Sequence, residues 1–181
     1  MLDYEFFYIV SIPIYIFLIT FLILRKVDKR RIIIGSIFFF YIIAVIAATI
    51  FPIPIQGLQE IWLYMWWNSN NFMPFVSIFD ILNNNNLDIF IKIKQVIGNI
   101  VLFIPMWFLI PFIWKSKNDF KKAMLLGFIA TCSIEGLQFM ISALLGFNYK
   151  ITDIDDVILN MLGFIIGFVL HKIFQKSLIR K

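Results

Sequence analysis

The sequence predicts an all-α integral membrane protein, a bundle of about five transmembrane helices. Of its 181 residues, 61% are hydrophobic and 22 are phenylalanine, whereas soluble domains are typically about 45–50% apolar. The apolar residues also fall into five long runs, and a helix needs about 20 such residues to cross the hydrocarbon core. Within lipid a segment of this kind satisfies its own backbone polar groups only as a helix.

The five predicted spans cover residues 6–24, 32–51, 97–114, 123–145 and 157–174. Thirteen of the sixteen Lys and Arg residues lie in the first loop, in the loop after the third span, or in the C-terminal tail. Because positive charge marks the cytoplasmic side, the N-terminus is predicted to lie outside and the C-terminus in the cytoplasm. The net charge of +5 is therefore a topology signal, and no nucleic acid partner is expected.

Residues 52–96 are predicted to form one long outer segment. The aromatic cluster WLYMWW at 62–67 favours an interfacial helix, since Trp and Tyr prefer the headgroup level. No basic region precedes the first span, so no cleavable signal peptide is expected. The lone cysteine, Cys132, excludes an internal disulfide. Residues 1–181 are predicted to form a single transmembrane domain.

The fourth span carries a polar face. Thr131, Glu135, Gln138 and Ser142 follow one another at steps of four, three and four residues, which place them on one side of a helix. Glu135 lies about 18 Å along the helix from its predicted start, past the middle of the bilayer. An acid at such depth costs roughly 2.5–3.5 kcal/mol and usually faces a bundle interior or a wet cavity. Hydrogen bonding between helices is the simpler alternative.

The fifth span begins with a second polar face, again at steps of three and four residues. Its members are Asp153, Asp156, Asn160, Gly163 and Gly167. The two glycines, four residues apart, allow another helix to approach closely. Capping of the helix by Thr152 or Asp153, with the helix dipole favouring acids, is the simpler explanation of the carboxylates. Capping does not account for Asn160, which lies inside the span.

Asn99, near the outer end of the third span, lies at a similar depth to these polar residues. The three spans are therefore predicted to converge on one polar site that opens to the outside. Asp155 and the single histidine, His171, are off this site and are expected to be solvated. A lone histidine excludes a multi-histidine metal site, and no cofactor is indicated. A divalent cation held by Glu135, Asp153 and Asp156 remains chemically allowed.

Several motifs resemble those of the VanZ-like membrane proteins, whose founder is associated with low-level resistance to teicoplanin. They are NIVLFIP at 99–105, SIEGLQF at 133–139, and TDIDDVILNMLG at 152–163, followed by Gly167. Weaker matches are IFP at 50–52 and NFMPF at 71–75, so the resemblance covers about residues 50–170. Many members carry Arg where this chain has Lys150, which would hold an anionic headgroup as a point charge only.

The resemblance implies a role at the bacterial cell envelope, in the cytoplasmic membrane. The first hypothesis is a binding protein that holds a lipid-linked wall precursor or a lipoglycopeptide. The second is an enzyme on a lipid-linked substrate, with Glu135 as the proton carrier, although no established catalytic motif is present. Transport, through an oligomer, is the third. The candidate ligand-binding residues are Asn99, Glu135, Gln138, Lys150, Asp153, Asp156 and Asn160, with Gly163 and Gly167 for helix packing.

Overall fold

A computed structural model describes residues 2–54, 70–114 and 119–179, and these residues form a helical bundle. Two isolated backbone bridges, and no longer strand, occur in these ranges. The helices are α1 (Tyr4–Leu24), α2 (Lys29–Ile50), α3 (Val76–Asn83), α4 (Ile89–Ile113), α5 (Phe120–Leu145) and α6 (Ile154–Ile179).

All of these helices except the short α3 are long and apolar enough to cross a membrane. Within the described residues the number of such helices equals the predicted five spans, and the protein is a multi-pass membrane protein. The boundaries differ most at α4, which begins eight residues before the predicted position 97. Its start is fixed by Asp88, whose carboxylate accepts a hydrogen bond from the Phe90 amide at 2.7 Å. The first turns of α4 carry two lysines, and the predicted span began after them because it was drawn around the apolar run.

Helices α4 and α6 form the most extensive interface of the bundle. Gly163 and Gly167 of α6 lie directly against the α4 backbone. A Cβ atom at either glycine would overlap a carbonyl oxygen, that of Ile100 or Ile104. Glycine at these two positions is what lets the two helix backbones come this close.

The core lies where α4 and α6 meet α2 and α5. Phe103, Trp107 and Phe164 are fully buried there, and the Trp107 ring centroid lies 5.4 Å from that of Phe164. The outward faces are apolar as well, with Phe17 and Leu24 of α1 exposed by 70% and 76%. Apolar side chains on both the inside and the outside are typical of a bundle whose solvent is lipid.

His171 is not solvated, and the sequence-based expectation for it was wrong. The residue is 4% exposed, and its Nδ1 atom lies 3.1 Å from the Phe108 carbonyl oxygen. The Phe108 and Phe112 rings pack edge-on against the imidazole. Because the glycines bring α6 against α4, the later turns of α6 remain packed on α4 and cover this side chain.

The predicted interfacial helix at 62–67 lies outside the described residues, as do part of the second basic loop and the last two basic residues of the tail.

Candidate functional site

The polar residues meet at the end of the bundle where α2 and α5 finish and α4 and α6 begin. Asp153 is the residue before α6, and its Oδ1 atom accepts a hydrogen bond from the Asp155 amide at 2.9 Å. This is an N-cap bond, so the expected capping role of Asp153 is present. The Asp153 backbone amide in turn donates to Glu135 Oε2 at 3.0 Å. The intramembrane acid of α5 is thus tied directly to the first turn of α6.

Asp155 is the most buried of the three aspartates at the start of α6, and the expectation that it is solvated was wrong. It is 1% exposed. Its carboxylate accepts hydrogen bonds from the backbone amides of Phe75, at 2.5 Å, and Ile78, at 3.0 Å. These amides belong to the start of α3, where four backbone N–H groups have no partner within the helix. Asp155 therefore caps α3 from a distant part of the chain.

The segment before α3 is joined to α6 through Asn71. The Asn71 amide donates to the Thr152 carbonyl, and its own carbonyl accepts from the Ile154 amide, both at 3.0 Å. Its side-chain nitrogen donates to Asp153 Oδ1 at 2.8 Å. The NFMPF and TDIDD motifs are therefore held together directly, because backbone N–H and carbonyl groups of one segment are hydrogen-bonded to those of the other.

Behind this junction lies a cavity of about 430 Å³, the inner cavity. It is lined by six of the seven predicted site residues: Asn99, Glu135, Gln138, Lys150, Asp156 and Asn160. The seventh, Asp153, lines a second cavity of about 670 Å³, the outer cavity, together with Asp80, Lys94, Asn99 and Asp156. The structure therefore brings all seven residues around two adjoining cavities.

Asn99 and Asp156 line both cavities and mark the boundary between them. The Asn99 side-chain nitrogen of α4 donates a hydrogen bond to Asp156 Oδ1 of α6. This bond joins two helices that the sequence could place only at a common depth. A ligand reaching from one cavity to the other would pass this pair.

Lys150 binds the end of α2. Its ammonium donates to the carbonyl oxygens of Ala48, at 3.2 Å, and Thr49, two of the carbonyls that a helix C-terminus leaves unpaired. Burial lowers the pKa of Lys150, while the carboxylates of Glu135 and Asp156 act in the opposite direction. The suggested contact of Lys150 with an anionic headgroup stays a prediction.

Several polar atoms beside the inner cavity have no hydrogen-bond partner among the described residues. They include Gln138 Oε1, Asn160 Oδ1 and the Tyr149 hydroxyl. Burial, with the nearby Glu135 carboxylate, raises the pKa of Tyr149 to about 12. The cavity thus combines carboxylates, one ammonium and unpaired amide oxygens, a set suited to bind a polar group or to move a proton.

Across the described ranges, no three His, Cys, Asp or Glu side chains are placed so that they could hold a metal ion. The proposed cation set of Glu135, Asp153 and Asp156 does not form such a group. Asp153 and Glu135 are instead joined through the Asp153 backbone amide.

Four residues that sequence reasoning did not assign to the site contribute to it: Thr49, Asn71, Tyr149 and Asp155. The carbonyl of Thr49 accepts from both Gln138 and Lys150, and a backbone acceptor leaves no trace in the residue pattern. Asn71 lies in the weakly matching NFMPF motif, which was the available signal for it.

The site motifs and the helices that carry them fall within one family. A sequence model of the VanZ/LLP1 family matches residues 38–175, a range that contains every residue lining the inner cavity. No curated protein and no solved structure matches the chain. The match leaves out α1. Because it covers well over half of the sequence, the chain belongs to the VanZ/LLP1 family.

Proposed function

We propose that this protein acts at the bacterial cytoplasmic membrane and gives low-level resistance to teicoplanin-type lipoglycopeptides through an outward-facing polar site within the membrane. The observation that carries the proposal is the inner cavity, where helices α4, α5 and α6 bring Asn99, Glu135 and Asp156 together. Polar side chains in membrane helices are costly and usually mark a functional site. The family link to teicoplanin is the second support.

The charge pattern favours an outward-facing site. The α1–α2 loop and the first turn of α2 carry five basic residues, within 25–31, at the end of the bundle opposite to the cavities. Basic loops lie on the cytoplasmic side. The end where α2 finishes and α6 begins then faces the outside, where glycopeptides meet lipid-linked wall precursors.

In this proposal the protein binds an envelope component and thereby reduces access of the antibiotic to its target. The hydrogen bonds around Asp153 and Asp155 hold the rim of the site in one arrangement, which lowers the ordering cost of binding. The inner cavity takes the most polar part of the ligand, and the outer cavity takes its continuation.

A second candidate is an enzyme or transporter that acts on a lipid-linked envelope precursor. The observation that favours it is Glu135, a carboxylate 6% exposed inside a membrane helix and beside a cavity. A buried acid of this kind is suited to proton transfer. Mass spectrometry of lipids and wall precursors, with and without the protein, tests the enzyme. A new species supports the enzyme, and an unchanged profile excludes it and leaves binding or transport.

The test of the main proposal is teicoplanin susceptibility of a host that makes wild-type protein or Glu135→Gln at matched membrane levels. A suitable control is Asp119→Asn at the other end of α5. It also removes a carboxylate charge, and asparagine replaces the capping bond that Asp119 makes to the Lys121 amide.

Protection by wild type and Asp119→Asn, but not by Glu135→Gln, supports the proposal. Equal protection by all three forms shows that the inner cavity is not the basis of resistance. Absence of protection by the wild type shows that the family's link to teicoplanin does not extend to this chain.

A further inference from the structure

In the described part of the chain, the inner cavity is lined by two amide side chains whose oxygens are unpaired hydrogen-bond acceptors, and by the unpaired hydroxyl of Tyr149. Gln138 and Asn160 are 6% and 3% exposed, and the side-chain oxygen of each has no hydrogen-bond partner among the described residues. The orientation of the Gln138 amide is fixed, because its nitrogen donates to the Thr49 carbonyl at 2.9 Å. Its oxygen is therefore the unpaired atom. Buried acceptors of this kind need a partner that donates hydrogen bonds.

The charges point to the same conclusion. Glu135 and Asp156 line the inner cavity, and Asp153 lies beside them at the outer cavity. Lys150 is the cation of the inner cavity lining, and its hydrogen bonds go to two carbonyls of α2 rather than to these acids. With every group ionised, two carboxylates and one ammonium line the inner cavity. The outer cavity adds the carboxylates of Asp80 and Asp153 and the ammonium of Lys94, so carboxylates outnumber ammonium groups two to one in either count. Water can pair with the free amide oxygens, whereas the excess negative charge is balanced by a bound cation or by protonation of an acid.

We propose that the inner cavity binds a primary ammonium group of an envelope molecule. This inference rests on the proposed function and names the chemistry that its site recognises. A primary ammonium carries one positive charge and three N–H donors, which match the carboxylates and the free oxygens of Gln138 and Asn160. The remainder of the molecule extends past the Asn99–Asp156 pair into the outer cavity.

The size of the cavity agrees with such an occupant. Its volume of about 430 Å³ is many times the roughly 30 Å³ that one water occupies in the liquid. An ammonium group and several attached carbons therefore fit. A divalent metal is a poorer match, because no group of acids or histidines in the described part of the chain could hold one.

The first test uses the full chain in lipid nanodiscs and three probes of equal chain length. n-Hexylammonium has the charge and the donors, n-hexyltrimethylammonium has the charge alone, and hexanol has one donor and no charge. Titration calorimetry against empty nanodiscs should show saturable binding of hexylammonium, at least tenfold tighter than that of either other probe. Equal binding of all three probes, or no binding beyond that of empty nanodiscs, would overturn the proposal.

The second test replaces the acceptors while keeping the side-chain volume nearly constant. Gln138→Leu and Asn160→Leu should each weaken hexylammonium binding several-fold, and Asp119→Asn should leave it unchanged. Loss of binding in Asp119→Asn as well would contradict assignment to this cavity. Displacement of the amine by millimolar sodium chloride would identify a small-cation site and overturn the amine assignment.

The two proposals fail in different ways. If wild-type protein lowers teicoplanin susceptibility and yet does not bind hexylammonium, the proposed function stands and the ammonium inference is wrong. If hexylammonium binds with the stated selectivity and no protection is seen, the cavity chemistry stands and the resistance role is wrong.

Discussion

Replacement of Gly163 by alanine tests the close contact of α4 and α6. The new methyl group would overlap the Ile100 carbonyl oxygen and would lie 2.9 Å from the carbonyl carbon. Carbon atoms in contact are normally about 3.5–4.0 Å apart, so the carbon contact alone requires the two helices to separate by about 0.6–1.1 Å. The tighter overlap with the oxygen requires more, because the obstacle is backbone and cannot rotate away as a side chain would.

A separation of this size weakens every contact along the interface. A gap of about 0.5–1 Å removes a quarter to a half of the dispersion attraction of each atom pair. Overpacking substitutions cost typically about 1–3 kcal/mol, and a rigid obstacle places Gly163→Ala at about 2–3 kcal/mol of lost unfolding free energy. Since 1.4 kcal/mol is a factor of ten, the folded-to-unfolded ratio should fall roughly 30- to 140-fold.

The change can be measured by denaturation in mixed micelles with tryptophan fluorescence as the signal. Trp107, one of five tryptophans in the chain, is fully buried on α4 against Phe164 of α6, so its share of the signal reports on their separation. Gly136→Ala is the matched control, because no atom lies within 4 Å of its new methyl. It should be neutral or stabilise by up to about 1 kcal/mol. Wild-type stability in Gly163→Ala would refute the close-packing explanation.

Three further outcomes are expected. Asp155→Ala removes the acceptor of two α3 amides, so residues 70–83 should be cleaved faster in limited proteolysis, and cleavage at the wild-type rate would contradict this role. Lys150→Arg should keep the stability of the protein, whereas Lys150→Met should lower its unfolding free energy by about 1–3 kcal/mol. Equal stability of both variants would show that the α2 carbonyls do not need a donor. Tyr149 loses its proton near pH 10 in the unfolded state and near about 12 in the folded state, so the unfolding free energy should fall between these pH values. Tyr149→Phe should show a smaller fall. Identical pH profiles of the two proteins would exclude this contribution.

The spans and the convergence of the polar faces were predictable because both follow from helical periodicity. Asn99, Glu135 and Asn160 are costly in lipid wherever they occur, so their shared depth indicated shared surroundings. Their gathering around one cavity agrees with that prediction. Ligand binding by these residues stays a prediction.

The roles of Asp155 and Lys150 could not be predicted from the residue pattern. Both side chains pair with backbone groups of a segment far away in sequence, and any residue can present an amide or a carbonyl. Asp155 appeared solvated because it lies off the polar stripe of α6, whereas it faces the start of α3. His171 was misjudged for a similar reason, since its burial depends on how closely the glycines bring α6 to α4.

The capping of α3 by Asp155 has a consequence for biosynthesis. Ile78 and Asp155 are 77 residues apart, so at about 5–20 residues per second a ribosome needs roughly 4–15 s to reach the acid after making the amide. During that interval the N–H groups at the start of α3 need water or headgroups as partners. α3 is therefore without this cap until α6 has been made, and a nascent chain that stops short of α6 never acquires it.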